Sequence, residues 1–183
     1  INFKKVPNLN KYIAKKLTEG NVIGWFKNGA EMGPRALGNR SILADPRKKR
    51  IRDRVNKAIK YRELWRPFCP TILYEHQNNF LKNSFYSPYM TISFQAKSIM
   101  KKMAPGVVHI DNTSRIQSLK KNDNIEFYNL IYEFYKLTNV PMLLNTSFNL
   151  KGEPIVNNIN DALRTFYSSG LDILVAGNFV VEK

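Results

Sequence analysis

Four short segments gather the residue types that handle anions, each close behind an apolar stretch. The first, Glu31-Met-Gly-Pro-Arg-Ala-Leu-Gly-Asn-Arg40, sets two arginines among glycines. Glycine lets a backbone approach a ligand closely, and the planar forks of Arg35 and Arg40 suit phosphate oxygens. The second, Lys60-Tyr-Arg-Glu-Leu-Trp-Arg-Pro67, holds the cations Lys60, Arg62 and Arg66. The third is His109-Ile-Asp-Asn-Thr-Ser-Arg115, and the fourth is Asn145-Thr-Ser-Phe-Asn149, whose hydroxyls and amides can hold a phosphate, a ribose or a small amide. Each segment also has a plainer use. Arg35 can pair structurally with Glu31, and Arg62 with Glu63. Asn145 and Ser147 can serve as turn residues bonding their own backbone, and His109 reads as a satisfied core histidine.

Several chemistries are excluded by what the chain lacks. Two histidines, His76 and His109, and the single Cys69 cannot build a zinc site in the usual way. There is no Walker A motif and no GxGxxG, so phosphate binding must rely on side chains more than on a glycine cradle. No Ser-His-Asp set is legible from spacing. Cys69 sits in an apolar stretch and reads as packing rather than as a nucleophile.

The 183 residues amount to one domain at ~100–200 residues per domain. A hydrophobic share of 43% rules out a disordered tail, and one cysteine rules out a disulfide scaffold and fits a reducing, cytoplasmic setting. No run is long and apolar enough for a membrane span. The chain opens at Ile1 with no signal-like segment and reads like a piece of a longer polypeptide. Lys and Arg number 29 against 14 Asp and Glu, a net charge of +15, which attracts polyanions or concentrates anionic small molecules. Paired lysines such as Lys101-Lys102 read as a solvated surface; the arginines carry the functional signal.

The elements that must position these segments follow from periodicity. Leu9, Ile13 and Leu17 mark a short helix that stops near Gly20, and 21–26 reads as a buried strand. Residues 27–41 read as loop, and 50–60 as a basic-faced helix with Ile51, Val55 and Ile59 inward. Strands are predicted at 71–74, 90–94 and 107–110. A helix capped by Asp123 carries Ile125 to Tyr135, and Met142–Leu144 run straight into the fourth segment. A second helix starts near Asn160, and 172–181 forms a hairpin turning at Gly177-Asn178. Helices and strands alternate, giving an α/β domain whose strand-end loops carry the polar clusters.

The stretch Gly33-Pro-Arg-Ala-Leu-Gly-Asn-Arg-Ser-Ile-Leu-Ala-Asp-Pro46 closely resembles the C-terminal domain of the O-carbamoyltransferases that decorate nodulation factors and cephamycin-type and aminoglycoside antibiotics. Asn56–Pro67, His109–Gln117 and Pro141–Asn149, the last followed by Gly152-Glu-Pro-Ile155, resemble the same family in the same order. The resemblance covers essentially the whole chain, 1–183. It implies a YrdC-like fold, a mixed twisted sheet with flanking helices. It implies an absent N-terminal, actin-like (Kae1-like) domain that holds iron and the acceptor hydroxyl; the histidines expected to ligate that iron are missing from this chain. The domain itself would bind carbamoyl phosphate and ATP, the latter with Mg2+, form carbamoyl-adenylate, release pyrophosphate, and pass the intermediate to the N-terminal domain.

Carried across residue by residue, Arg35, Lys60, Arg66, Arg115, Asn145 and Ser147 match positions that contact carbamoyl phosphate and nucleotide. Lys60-Tyr61-Arg62 and Ser147-Phe148-Asn149 resemble the K-x-R and S-x-N pairs of YrdC-type proteins, adding Arg62 and Asn149. Lys60, Arg66 and Arg115 would be the catalytic cations. In this reading Lys60, Arg66 and Arg35 hold the carbamoyl and phosphate groups, and Arg115, Ser147 and Asn145 hold the nucleotide phosphates and the carbamoyl amide. Cation clamps fit such chemistry, because two anionic reactants must be neutralised and aligned, and a carbamate anion needs no general base. The rival reading is a basic RNA-binding module of the same fold, with Trp65 and Phe68 among Arg62 and Arg66. Clustering of the arginines at strand ends, among hydroxyls and amides, favours the small-molecule pocket.

Overall fold

The computed structural model describes residues 1–183. Ten strands form in chain order: β1 (Lys4–Lys5), β2 (Ile23–Phe26), β3 (Arg40–Ala44), β4 (Cys69–Leu73), β5 (Ser93–Gln95), β6 (Thr113–Arg115), β7 (Gln117–Leu119), β8 (Met142–Ser147), β9 (Ile173–Ala176) and β10 (Phe179–Glu182). Eight of them make one mixed sheet in the order β1-β10-β9-β2-β3-β8-β4-β7, and β5 pairs with β6 in a small antiparallel sheet. Within the large sheet β2 runs parallel to β9 and β4 parallel to β7, while β8 lies antiparallel to both β3 and β4. The inner strands β3 and β4 are buried along their whole length, as strands covered on both faces are.

Six helices flank the sheet: α1 (Leu9–Thr18), α2 (Lys49–Val55), α3 (Tyr74–Phe80), α4 (Ser98–Met103), α5 (Ile125–Thr138) and α6 (Ile159–Tyr167). α1 packs on α5, which lies against β4 and β8, and α6 lies against β2 and β9. α5 buries Phe127, Leu130, Ile131 and Phe134 at the i, i+3, i+4, i+7 spacing of one helical face. The 31–40 loop is seated on this layer at Gly38. Its φ is +112°, a Cβ there would overlap the Phe127 ring, and its carbonyl accepts from the Trp25 indole at 2.9 Å.

The fold departs from the sequence reading in identifiable places. The strand expected at 107–110 is a 3-10 turn, Pro105–Val107, followed by irregular chain that leaves Ile110 fully exposed. Pairing passes instead to the polar run 113–115, because Thr113 to Arg115 satisfy their backbone against β5 while the Ser114 hydroxyl donates to Val107 O at 2.8 Å. The helix expected over 50–60 finishes as a π-helical turn, Asn56–Lys60, closed by Tyr61 at φ 45°. Asn124, not Asp123, caps α5, its side chain accepting from Phe127 N at 3.1 Å; Asp123 closes the preceding turn by accepting from Lys120 N. Arg40, expected to present a fork to phosphate, is buried. Its Nη1 donates to the carbonyls of Lys27 and Asn28 at 2.6 and 3.0 Å, and the guanidinium stacks on Phe26.

Candidate active site

A cleft of about 130 Å³ opens where the end of β8 meets the 31–40 loop, the 62–69 segment and β6. Arg35, Arg62 and Arg115 line it together with Asn145, Thr146 and Ser147, between walls that include Pro34, Phe68 and Met90. No carboxylate lines it, and none of the three arginines belongs to a salt bridge. The chain thus leaves three guanidiniums uncompensated around a hollow the size of a small anion.

Two of the three guanidiniums are anchored by a neighbour; Arg35 is exposed. Arg62 donates from Nε to Asn56 Oδ1 at 2.7 Å and lies over the Phe68 ring at 4.6 Å, leaving its Nη groups free. Asn56 is fully buried and also donates to the carbonyls of Leu64 and Arg66, so the π turn is braced against the turn that carries Arg62. Burial and the neighbouring Arg66 cation hold the Arg62 guanidinium below its ordinary pKa, so an incoming anion relieves the charge. Arg115 donates from Nε to the Cys69 sulfur at 3.1 Å. Cys69 therefore packs, as expected, and also aims an arginine.

Glu31 organises the loop that carries Arg35, and no ion pair joins the two. Glu31 Oε1 accepts from the backbone N–H groups of Leu37, Asn39 and Arg40 at 2.7, 2.7 and 3.2 Å, so a carboxylate organises the loop as a bound anion would. Glu31→Ala leaves these donors without that acceptor and should cost ~1–3 kcal/mol of stability. Glu31→Gln, which keeps an acceptor oxygen, should unfold closer to wild type in a thermal melt.

Lys60 is buried behind Ser147. Its Nζ donates to Ser147 O and Oγ at 2.6 and 3.2 Å and to Asn149 O and Oδ1 at 3.0 and 2.8 Å. Ser147 Oγ donates in turn to Asn149 Oδ1 at 2.6 Å. The Lys60 cation is thus a hub that folds the Ser147-Phe148-Asn149 turn around itself. Burial, aided by the nearby Arg62 charge, pushes it down to about 7.

Of the eight residues singled out, Arg35, Arg62, Arg115, Asn145 and Ser147 come together in the cleft, and Lys60 and Asn149 stand immediately behind it. Arg66 lies outside. It is exposed and bridges Glu63 at 3.1 Å across a turn that separates it from Arg62, closed by Arg66 N donating to Glu63 O at 3.2 Å. Asn56, Thr71 and Gln117 are not legible as site residues, although Asn56 opens the family-like stretch Asn56–Pro67.

A larger groove of about 910 Å³ adjoins the cleft across Pro67, which lines both. Lys49, Arg52 and Lys101 face it with a single acid, Asp111, and the exposed Trp65 indole forms part of its wall. His109 lies there rather than in the core. Its Nδ1 meets Thr113 Oγ1 at 3.1 Å, its Nε2 has no partner, and burial lowers its pKa.

Sheet order and a cation-lined cleft at a strand end define a YrdC-like α/β domain. Among solved structures the chain superposes on full-length HypF in a phosphate- and nucleotide-bound form, with a TM-score of 0.65, 16% identity, and coverage of 93% of this chain and 25% of that one. Sua5 of P. abyssi, solved with L-threonine, matches with a TM-score of 0.62 and 12% identity over 95% of this chain and 48% of that one. These likenesses establish the fold. Residues 14–183 match the family described as Carbamoyltransferase C-terminus, and the chain belongs to that family. The nodulation protein NolNO of Sinorhizobium fredii is 40% identical over 186 residues, 100% of this chain and 27% of that protein. The 3'-hydroxymethylcephem-O-carbamoyltransferase of Amycolatopsis lactamdurans is 34% identical over 162 residues, 88% of this chain and 31% of that protein. The chain thus spans about a third or less of the length of these relatives. No helix is long and apolar enough to cross a membrane.

Proposed function

We propose that this chain is the carbamoyl-activating domain of a longer O-carbamoyltransferase, with carbamoyl phosphate held in the arginine cleft and ATP in the adjoining groove. The observation that carries the reading is the convergence of Arg35, Arg62 and Arg115, from three separate segments, on one small cleft without a carboxylate. Its volume suits a carbamoyl phosphate and is too small for a nucleotide, whereas the groove beyond Pro67 has the room, three cations and an indole to stack on.

The reaction balances in two steps. Water attacks the phosphorus of carbamoyl phosphate, the bridging P–O bond breaks, and carbamate and inorganic phosphate form. A carbamate oxygen then attacks the α-phosphorus of ATP, and pyrophosphate leaves with the electron pair, giving carbamoyl-adenylate. The arginines' part is electrostatic. They offset repulsion between anions brought into contact and hold the attacking oxygen in line, the two contributions that dominate phosphoryl-transfer catalysis. The hydroxyl of an acceptor bound by the N-terminal domain of the same polypeptide then attacks the carbamoyl carbon, the bond to the AMP oxygen breaks, and AMP and the hydroxyl proton leave, in natural-product or polysaccharide biosynthesis. In the full-length polypeptide, exchange of labelled pyrophosphate into ATP should require carbamoyl phosphate. Exchange that proceeds equally without it, or none at all, overturns the reading.

A further inference from the structure

We infer that Ile110 is the second contact for the nucleobase, packing against it from the 109–112 turn while the base stacks on the Trp65 indole. The inference rests on the ATP reading of the groove and names the residue that completes its base site. Ile110 and Trp65 come from separate segments and line the same groove. Ile110 is the most exposed of the chain's large apolar side chains, and Trp65 is 71% exposed. Isolated apolar side chains are ordinary on a protein surface, but these two share one groove and are both held on braced backbone. Asn56 Nδ2 donates to the carbonyls on either side of Trp65, Leu64 O at 3.2 Å and Arg66 O at 3.0 Å. The turn that carries Ile110 closes with Asn112 N donating to His109 O at 3.0 Å and His109 N donating to Thr113 O at 2.8 Å. Asn112 ends it at φ 62°, the left-handed residue of a three-residue hairpin loop. Asp111 Oδ1 accepts from Thr113 N and Oγ1 at 2.9 and 2.7 Å, so the groove's single acid is committed to this brace. Asp111 and Asn112 are turn chemistry; an isoleucine at 110 is not.

The groove therefore asks for a ligand with a flat apolar body and an anionic tail. Trp65 offers a ring face to the body, and Ile110 a branched aliphatic surface whose χ1 is already restricted. Lys49 and Lys101, which belong to no salt bridge, and Arg52, which pairs only with its neighbour Asp53, face the same space and suit the tail. A nucleoside triphosphate meets both requirements in one molecule, whereas an inorganic polyanion meets only the second. Because both apolar contacts sit on preformed backbone, little of their interaction is lost to ordering when the base arrives.

The test is calorimetric titration of the full-length polypeptide with ATP and, as a base-free anion, with tripolyphosphate. Wild type should bind ATP about tenfold or more tightly than tripolyphosphate, because stacking one base on an aromatic ring is worth about 5- to 150-fold. Ile110→Ala should weaken ATP by about tenfold, the effect of removing three half-covered carbons, and leave tripolyphosphate within about twofold. Trp65→Ala should weaken ATP by about 10- to 100-fold, while Trp65→Phe, which keeps a ring face, should stay within about threefold of wild type. Both side chains are exposed, so these variants lose no core packing. Tripolyphosphate bound as tightly as ATP by wild type, ATP affinity unmoved by Ile110→Ala, or an equal loss of both ligands in that variant overturns the inference alone. Failure of wild type to bind ATP overturns the ATP reading of the groove with it.

Discussion

Arg62→Ala and Arg115→Ala should each slow carbamoyl-phosphate-dependent ATP–pyrophosphate exchange in the full-length polypeptide by about 100- to 1,000-fold, the cost of removing one preorganised donor from a site that stabilises charge. Neither cation has a carboxylate partner, so neither is diverted to structural pairing, and both are pinned at Nε by a neighbour. The effect falls on the transition state because the charges crowd together only as the carbamate oxygen reaches the α-phosphorus. Lysine at either position restores little, since a point charge cannot reproduce a planar fork held at one edge. Arg66→Ala is the internal control. Its exposed bridge to Glu63 is worth ~0–1 kcal/mol, so exchange should fall by less than about fivefold. Equal losses at all three positions would mean that the charge acts diffusely and that the cleft geometry is irrelevant.

Lys60→Met should reduce exchange by about 100-fold although Lys60 does not line the cleft, because loss of the hub releases the Ser147 turn and misplacement of a positioning group by about an ångström costs that much. Lys60→Arg should not rescue it, as four oxygens grouped around one Nζ fit a compact ammonium and not a fork. The pH profile separates this role from a merely structural one. With Lys60 near 7 in the folded chain, ligand affinity should fall as pH rises through 7 and the hub loses its charge. Stability moves the other way. Between about 7 and the ordinary lysine value of 10.5 the unfolded chain binds more protons at this residue than the folded chain, so this group makes the unfolding free energy rise with pH in that window. Lys60→Met should abolish both slopes; a variant that kept the affinity slope would assign it elsewhere.

What could be read from sequence alone divides along a physical line. Elements with one apolar face, such as α1, α5 and the β9–β10 hairpin, announce themselves by period, and the motif stretches carry the family and its fold. Strands β3, β6 and β7 do not. Arg40, Ser41 and Thr113 to Arg115 read as loop chemistry, Gln117-Ser118 carry no strand pattern, and only the sheet partners that satisfy their backbone make them strands. The site shows the same division. The types Lys60, Arg62, Arg115, Asn145 and Ser147 were legible as anion-handling groups, but their division of labour was not. Lys60 and Ser147 are 87 positions apart, and whether an ammonium meets a ligand or a serine carbonyl is a tertiary fact. Asn56, Thr71 and Gln117 are ordinary polar residues until the fold makes them the braces of Arg62 and Asn145. Arg66 illustrates the converse, since a cation within a motif can be set outside the site by a turn, here the one closed between Glu63 and Arg66.

The most direct test of the arginine cleft is calorimetric titration of the full-length polypeptide with carbamoyl phosphate at 50 and 200 mM salt, beside the Arg62→Ala/Arg115→Ala double variant. A single saturable site is expected in wild type, surviving the higher salt with less than the 10³–10⁵-fold loss of affinity that nucleic-acid-type phosphate contacts suffer, and absent from the double variant. Saturable binding of equal strength in the double variant, or none in wild type, would contradict it.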